Sequence, residues 1–175
     1  HPDWLGPDDL SLKIKEIREA TDWQIPIQLK LGAARVYDDV RMAAKCEPDS
    51  IFIDGMEGGT GAGPHVATEE TGIPGIAAIR LARKALDDVG KTGEISLVYA
   101  GGIRNGGDVA KALALGADAV AIGHSSLMAL NCNRDIDEAD FPNEMGVEAG
   151  SCYHCHTGRC QVGIATQDPK LRARL

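Results

Sequence analysis

A parallel α/β sheet amounting to half of a (β/α)8 TIM barrel is the fold this sequence predicts. Three observations predict it. Helix-like and strand-like segments alternate along the chain. The first and last strand-to-strand intervals are short, as in the compact units of a barrel. Glycine-rich runs follow the strands where a strand gives way to a helix.

The elements follow in order. Leu10, Ile14 and Ile17 recur at helical spacing, with Asp8 or Asp9 placed to cap that helix. Residues 25–31 (IPIQLKL) read as a strand. Val36, Val40, Ala43 and Ala44 form the next apolar stripe, and 50–54 (SIFID) is a short buried strand. A glycine-rich stretch over 55–64 precedes a helix over 74–89. Residues 95–100 (ISLVYA) form the third strand. Residues 105–115 are helical, with Gly116 as the C-cap. Residues 119–122 (AVAI) form the fourth strand, and a short helix spans 125–130. Repeated strand–helix units give parallel strands with right-handed crossovers. Four strands cannot close a barrel. The chain begins at His1 without a methionine, so the other half is expected upstream. An open doubly wound sheet is the competing architecture.

With 175 residues, 43% hydrophobic and 25% charged, the chain has an ordinary globular composition and enough length for a core. No apolar run is long enough to span a bilayer. The net charge of −8 argues against a nucleic-acid partner, which needs a basic surface. Five cysteines, an odd count with clustered spacing, argue against a disulfide framework and fit a reducing cytoplasm.

YAGGIRNGGD, residues 99–108, lies where the third strand ends and a helix begins. Gly101 and Gly102 let a ligand approach the backbone, and the helix offers unpaired N–H groups and a positive dipole end. The fourth strand ends at Gly123, and His124 opens the next short helix. Loops after the last two strands of a (β/α)8 barrel commonly form a phosphate site, and this order matches. The competing reading is that the glycines only serve tight turns. The stretch DGMEGGTGAGPH, residues 54–65, lacks the Gly-Lys-Ser/Thr ending of a P-loop. Its backbone, including Gly58 and Gly59, can wrap a flat cofactor or an α-keto acid; a surface loop is the alternative. Glu57 is either a polar anchor there or a solvated charge. Strand alternation puts Gln28 and Lys30 on one face, between Leu29 and Leu31 on the other. In a barrel that polar face points inward, where a lysine can stabilise negative charge on a cofactor or a carboxylate. A lysine reaching into solvent is the alternative.

Cys152, Cys155 and Cys160 have the spacing C-x2-C-x4-C, with Cys132 upstream. Thiols grouped this way can hold an iron–sulfur cluster. Zinc competes, because His154 and His156 lie in the same run. Cys46 sits on an apolar helical stripe and reads as core. The domain division that follows is 1–131 for the half-barrel and 132–175 for a cysteine-rich segment. A phosphate site beside an electron relay points to a flavin-dependent redox enzyme.

The segments PIQLKLG, DGMEGGTGAGP, YAGGIRNGGDVAKALALGADAVAIG and CHTGRCQVGIATQDPKLRARL span nearly the whole chain. In that order they resemble the C-terminal half of the flavin-binding synthase domain of glutamate synthase, including archaeal-type and N-methylglutamate synthase relatives. The resemblance implies an FMN-linked barrel followed by an iron–sulfur segment. It implies reduction of 2-iminoglutarate, formed from 2-oxoglutarate and glutamine-derived ammonia, to L-glutamate. Carried over by motif, Gly101, Gly102, Gly123 and His124 would hold the FMN phosphate. Lys30 would lie near the flavin ring and the oxo acid, and Gly58 and Gly59 would pass close to both. Cys132, Cys155 and Cys160 would be the cluster ligands, giving a 3Fe–4S cluster; Cys152 would either replace Cys132 or, as a fourth ligand, permit 4Fe–4S. An acidic insertion separates Cys132 from the other cysteines, and Met56 and Gly63 stand where the family pattern has His and Ser. The implied partners are an electron-donor protein or an NAD(P)H-oxidising subunit, and an amidotransferase domain or subunit. The first alternative keeps the fold and makes N-methylglutamate from methylamine and glutamate. The second is a non-redox phosphate-binding barrel with a structural zinc knuckle.

Overall fold

Four strands run parallel in the computed structural model, which describes residues 5–58, 66–67, 70–132 and 154–175. They are β1 (Gln28–Gly32), β2 (Ser50–Asp54), β3 (Ser96–Ala100) and β4 (Ala119–Ala121), and they pair in chain order. Lys30 is level with Phe52, and Phe52 with Val98. A doubly wound sheet reverses its strand order at a switch point; no reversal occurs among the described strands.

The strand sequences alternate as their register demands. Ile51, Ile53, Leu97 and Tyr99 are buried, with Leu29, Leu31 and Val120 packed beside them. Three helices pack on this core, α2 (Val36–Lys45), α3 (Gly75–Asp88) and α4 (Gly106–Leu115), and Ala33, Ile95, Ile103 and Ala117 join it from the connections. The buried residues of α3 include Ala78, Ala82 and Ala85, three small side chains on one face. Fully burying an Ile or Leu side chain contributes roughly 1.5–3 kcal/mol, so Ile51, Ile53, Ile79, Leu86 and Leu97 anchor the sheet to its helices. The alternate residues tell the other half of the pattern. Gln28, Lys30 and Ser96 are exposed, and Phe52, Asp54 and Val98 are half-buried.

Local chemistry explains the element ends. Asn105 caps α4 by accepting the Asp108 N–H at 3.1 Å, and Gly116 ends it at φ +116°, as its sequence predicts. Two expectations change. Helix α1 (Pro7–Ala20) starts from Gly6 with Pro7 in its first turn; Asp8 and Asp9 lie inside that turn and make no cap. Strand β1 starts at Gln28 rather than at 25, because Pro26 has no N–H to give a ladder.

Two equivalent ties close the N-terminal side of the sheet. Asp49 accepts the Ile27 N–H at 2.5 Å and pairs with Arg18 at 3.0 Å. Asp118 accepts the Leu97 N–H at 2.7 Å and pairs with Arg83 at 2.8 Å. Each aspartate stands just before a strand and holds the backbone of a neighbouring one.

The chain divides into two compact units, residues 1–58 with 71–122, and residues 59–70 with 123–175. The second contains helix α5 (His124–Ala129) and helix α6 (Pro169–Arg172). Among the described residues, no helix is long and apolar enough to cross a membrane.

Candidate functional site

The C-terminal ends of β1, β2 and β3 carry the first group of candidate residues. Backbone hydrogen bonds stitch the loops there together. Ala33 N–H donates to Asp54 O at 2.8 Å, Ile73 N–H to Ala33 O at 2.7 Å, Met56 N–H to Ile73 O at 3.1 Å and Gly55 N–H to Ala100 O at 2.9 Å. The loops after three strands therefore form one connected rim.

Lys30 projects from β1 beside this rim. Its ammonium lies 2.7 Å from Asp54 Oδ2 and 5.2 Å from the centroid of the Phe52 ring. Its side chain is 62% exposed, so the ion pair itself adds little stability. It orients the cation on the sheet face opposite the helices. Gly58 closes a turn onto Gly55 O at 3.2 Å. A Cβ at Gly58 would come within 2.7 Å of Asp54 Oδ1, so a side chain there would require the Asp54 carboxylate to shift. Gly59 lies outside the described residues.

Gly101 and Gly102 have φ values of +126° and +66°. Both are left-handed conformations that favour glycine, and a side chain at either would also strike Glu57. The Tyr99 hydroxyl donates to Gly101 O. Burial, then the negative charge of Glu57, pushes the Tyr99 phenol up to about 12. It stays a donor at neutral pH, so the Gly101 carbonyl remains tied. Helix α4 behaves differently from expectation. Asn105 takes the Asp108 N–H, and the Asp108 carboxylate accepts the Arg104 N–H at 3.1 Å. One of the N–H groups expected to be free at this end, that of Asp108, is thus used by the Asn105 side chain, while Gly102, Gly106 and Gly107 are exposed.

In the second unit, Gly123 is the N-cap of α5 and makes no side-chain cap, and His124 is the exposed first residue of that helix. Cys132 follows, half-buried, its N–H donating to Leu127 O at 2.9 Å. Cys155 is exposed and Cys160 is buried. Cys152 lies outside the described residues. No group of three metal-ligating side chains is assembled among the described residues.

The GIATQDP run after Cys160 is a structural lock. Thr166 Oγ1 donates to Gly158 O and accepts the Asp168 N–H at 3.1 Å. Asp168 caps α6 by accepting from Lys170 N–H at 2.8 Å and Leu171 N–H at 3.2 Å. Arg174 binds the Gln161 carbonyl at 3.2 Å and its side-chain oxygen at 2.5 Å. Gly163, at φ +84°, has the Leu171 carbonyl where a Cβ would stand, at 2.5 Å. These contacts fix the backbone on both sides of Cys160.

Asp54, Glu57, Gly75 and Tyr99 were not singled out as site residues by sequence. Glu57 stood out only as a possible polar anchor of the glycine stretch, and Asp54 as an acid ending an apolar strand run directly before it.

A family model described as the conserved region in glutamate synthase matches residues 1–175. The chain is 50% identical over 175 residues to a glutamate synthase large subunit-like protein of Rhizobium meliloti, covering 100% of this chain and 39% of that protein. It is 42% identical over 178 residues to an archaeal-type glutamate synthase (NADPH) of Thermotoga neapolitana, covering 100% of this chain and 31% of that protein. The chain therefore spans well under half the length of these relatives. Among solved structures, a mandelate oxidase variant with a monooxide FMN adduct matches 72% of this chain and 33% of its own, with a TM-score of 0.50 at 27% identity. From the family match along its whole length, the chain belongs to the glutamate synthase family.

Proposed function

We propose that this chain is the C-terminal half of an FMN-binding (β/α)8 barrel, followed by an iron–sulfur segment, in an oxidoreductase that forms L-glutamate. The substrates in this reading are 2-oxoglutarate and glutamine-derived ammonia, which give 2-iminoglutarate. The observation that carries it is the polar sheet face at the strand C-terminal ends. There Lys30 and Asp54 stand beside a rim containing two left-handed glycines. In barrels of this kind the active site lies at that end.

The residues present fit FMN. Gly101 and Gly102 expose backbone with no side chain, while Gly32, Ala100 and Ala121 at the strand ends are small enough to leave room for a flat ring. Gly101 and Gly102 would hold the phosphate from the β3 loop. The residues also fit a cluster by donor chemistry: Cys132, Cys155 and Cys160 are thiols in one unit, and the lock around Cys160 presets its backbone. Bound FMN supplies hydride transfer and the cluster a one-electron relay. The chain's own residues do the positioning. The Lys30 ammonium attracts a carboxylate of the oxo acid or negative charge developing beside it. Asp54 holds that ammonium in place through the 2.7 Å ion pair. Reducing equivalents would come from NADPH or a donor protein through another domain or subunit, and ammonia from an amidotransferase.

The test is product formation by the full-length protein. Supplied with reductant, 2-oxoglutarate and ammonium, it should release L-glutamate. N-Methylglutamate formed from methylamine and glutamate, without 2-oxoglutarate-dependent turnover, would assign the same site to the methylamine reaction instead.

A further inference from the structure

Four glycines from three separate segments meet around one carboxylate. Glu57 lies in the loop after β2, and both of its carboxylate oxygens accept the Gly75 N–H, each at 3.1 Å, at the start of α3. A Cβ at Gly101 would come within 2.8 Å of Glu57 Oε2, and one at Gly102 within 3.3 Å of Glu57 Cγ. A Cβ at Gly55 would meet Gly75 Cα at 2.6 Å, and one at Gly75 would meet the Tyr99 hydroxyl at 2.5 Å. Tyr99 in turn holds the Gly101 carbonyl. The side chain of Glu57 therefore lies against the backbone of the β3 loop while its charge faces the N–H groups and positive dipole end of α3.

We propose that Glu57 is the positioning residue of the Gly101–Gly102 loop, a wedge between the β2 and β3 loops that sets the backbone presented to the FMN phosphate. A carboxylate this close to a phosphate loop would ordinarily repel the ligand. The Gly75 N–H and the α3 dipole offset that charge, and the side chain contributes shape. The glycines at 55, 101 and 102 follow from it, since each leaves room for the wedge or its anchor, while Gly75 leaves room for the Tyr99 ring that ties the Gly101 carbonyl. The inference rests on the phosphate reading of the Gly101–Gly102 loop, and two readouts keep their failures apart.

In the full-length protein, FMN affinity is measured for wild type, Glu57→Ala and Glu57→Gln, and the melting temperature of each apoprotein alongside. Glu57→Ala should weaken FMN binding about tenfold or more, the expected loss for one charge-assisted hydrogen bond and its packing. Glu57→Gln keeps the shape and one acceptor oxygen and should bind within about threefold of wild type. A wild type that binds FMN and a Glu57→Ala protein that binds it equally well overturn the positioning role alone. A wild type that binds no FMN overturns the phosphate reading, and the inference with it. A folded Glu57→Gln that loses FMN as severely as Glu57→Ala overturns the shape argument. A double-mutant cycle with Gly101→Ala adds a structural readout. The added methyl should cost less stability in the Glu57→Ala background than in wild type, because the atom it strikes is gone. Additive losses overturn the wedge.

Discussion

Lys30 Nζ and Asp54 Oδ2 are 2.7 Å apart, joining β1 to β2 on the sheet face opposite the helices. Neither group is buried by the helix-side core. An exposed pair of this kind adds little stability, and under the proposed function the two residues should respond differently to mutation.

Lys30→Met should fold, keep its flavin and change stability by no more than about 1 kcal/mol, the ceiling for an exposed ion pair. Its kcat/KM for 2-oxoglutarate should fall about a hundredfold or more, the scale of losing one electrostatic stabiliser. Asp54→Asn should give a smaller loss, since the cation remains but is less firmly placed. Steady-state kinetics alongside thermal melting check both. Unchanged turnover in Lys30→Met would leave the lysine a solvent-facing side chain.

Gly102→Val should deplete flavin in the purified full-length protein. At φ +66° a β-branched residue is strained, and its side chain meets Glu57 as well. Flavin released by denaturation and counted per protein gives the answer. Stoichiometric FMN in the variant would move the phosphate elsewhere.

Asp49 predicts part of the acid sensitivity. The Ile27 N–H and then the Arg18 guanidinium hold its carboxyl below the usual carboxylate range. A folded-state value below the unfolded one means the unfolded state binds the proton more readily. The contribution is fully present above about pH 4, the unfolded value, and is lost as pH falls through the lower folded value. Asp49→Asn should therefore be less stable than wild type at pH 7, with the two urea midpoints converging as the pH falls through the lowered folded-state value. A constant difference at all pH values would show that the charge plays no part.

Cluster ligation is tested by single substitutions. Cys132→Ala, Cys155→Ala and Cys160→Ala should each lose iron and the low-temperature EPR signal, while Cys152→Ala keeps a 3Fe–4S signal. Each iron of a cluster needs a thiolate, so three ligands leave one corner open. Loss in Cys152→Ala with an intact Cys132→Ala would exchange those two roles. Iron retained in all four variants would remove the cluster.

Particular residues show how far sequence reached. The face of Lys30 followed from period-two alternation, a property of any strand. Asn105 and Gly116 announced the ends of α4 because capping is local chemistry. The start of β1 was missed by giving hydrophobicity precedence over Pro26. The gathering of Glu57, Gly75, Tyr99 and Gly101 was illegible for a different reason. Those contacts join loops separated by an entire helix and strand, and no local period encodes them. The glycine runs and Glu57 were visible in the sequence, but the contact of Glu57 with Gly75 and the Gly101–Gly102 loop was not. The GIATQDP run was conspicuous as a motif, and its physical role in tying Gly158, Gln161 and α6 around Cys160 emerged only with the hydrogen bonds.

The visible absorption spectrum of the purified full-length protein tests the central claim most directly. A flavin- and cluster-bearing glutamate synthase should show resolved flavin bands over a broad iron–sulfur shoulder, both bleaching on reduction and recovering when 2-oxoglutarate and ammonium are added. A protein transparent in the visible, with zinc in place of iron by metal analysis, would contradict the account.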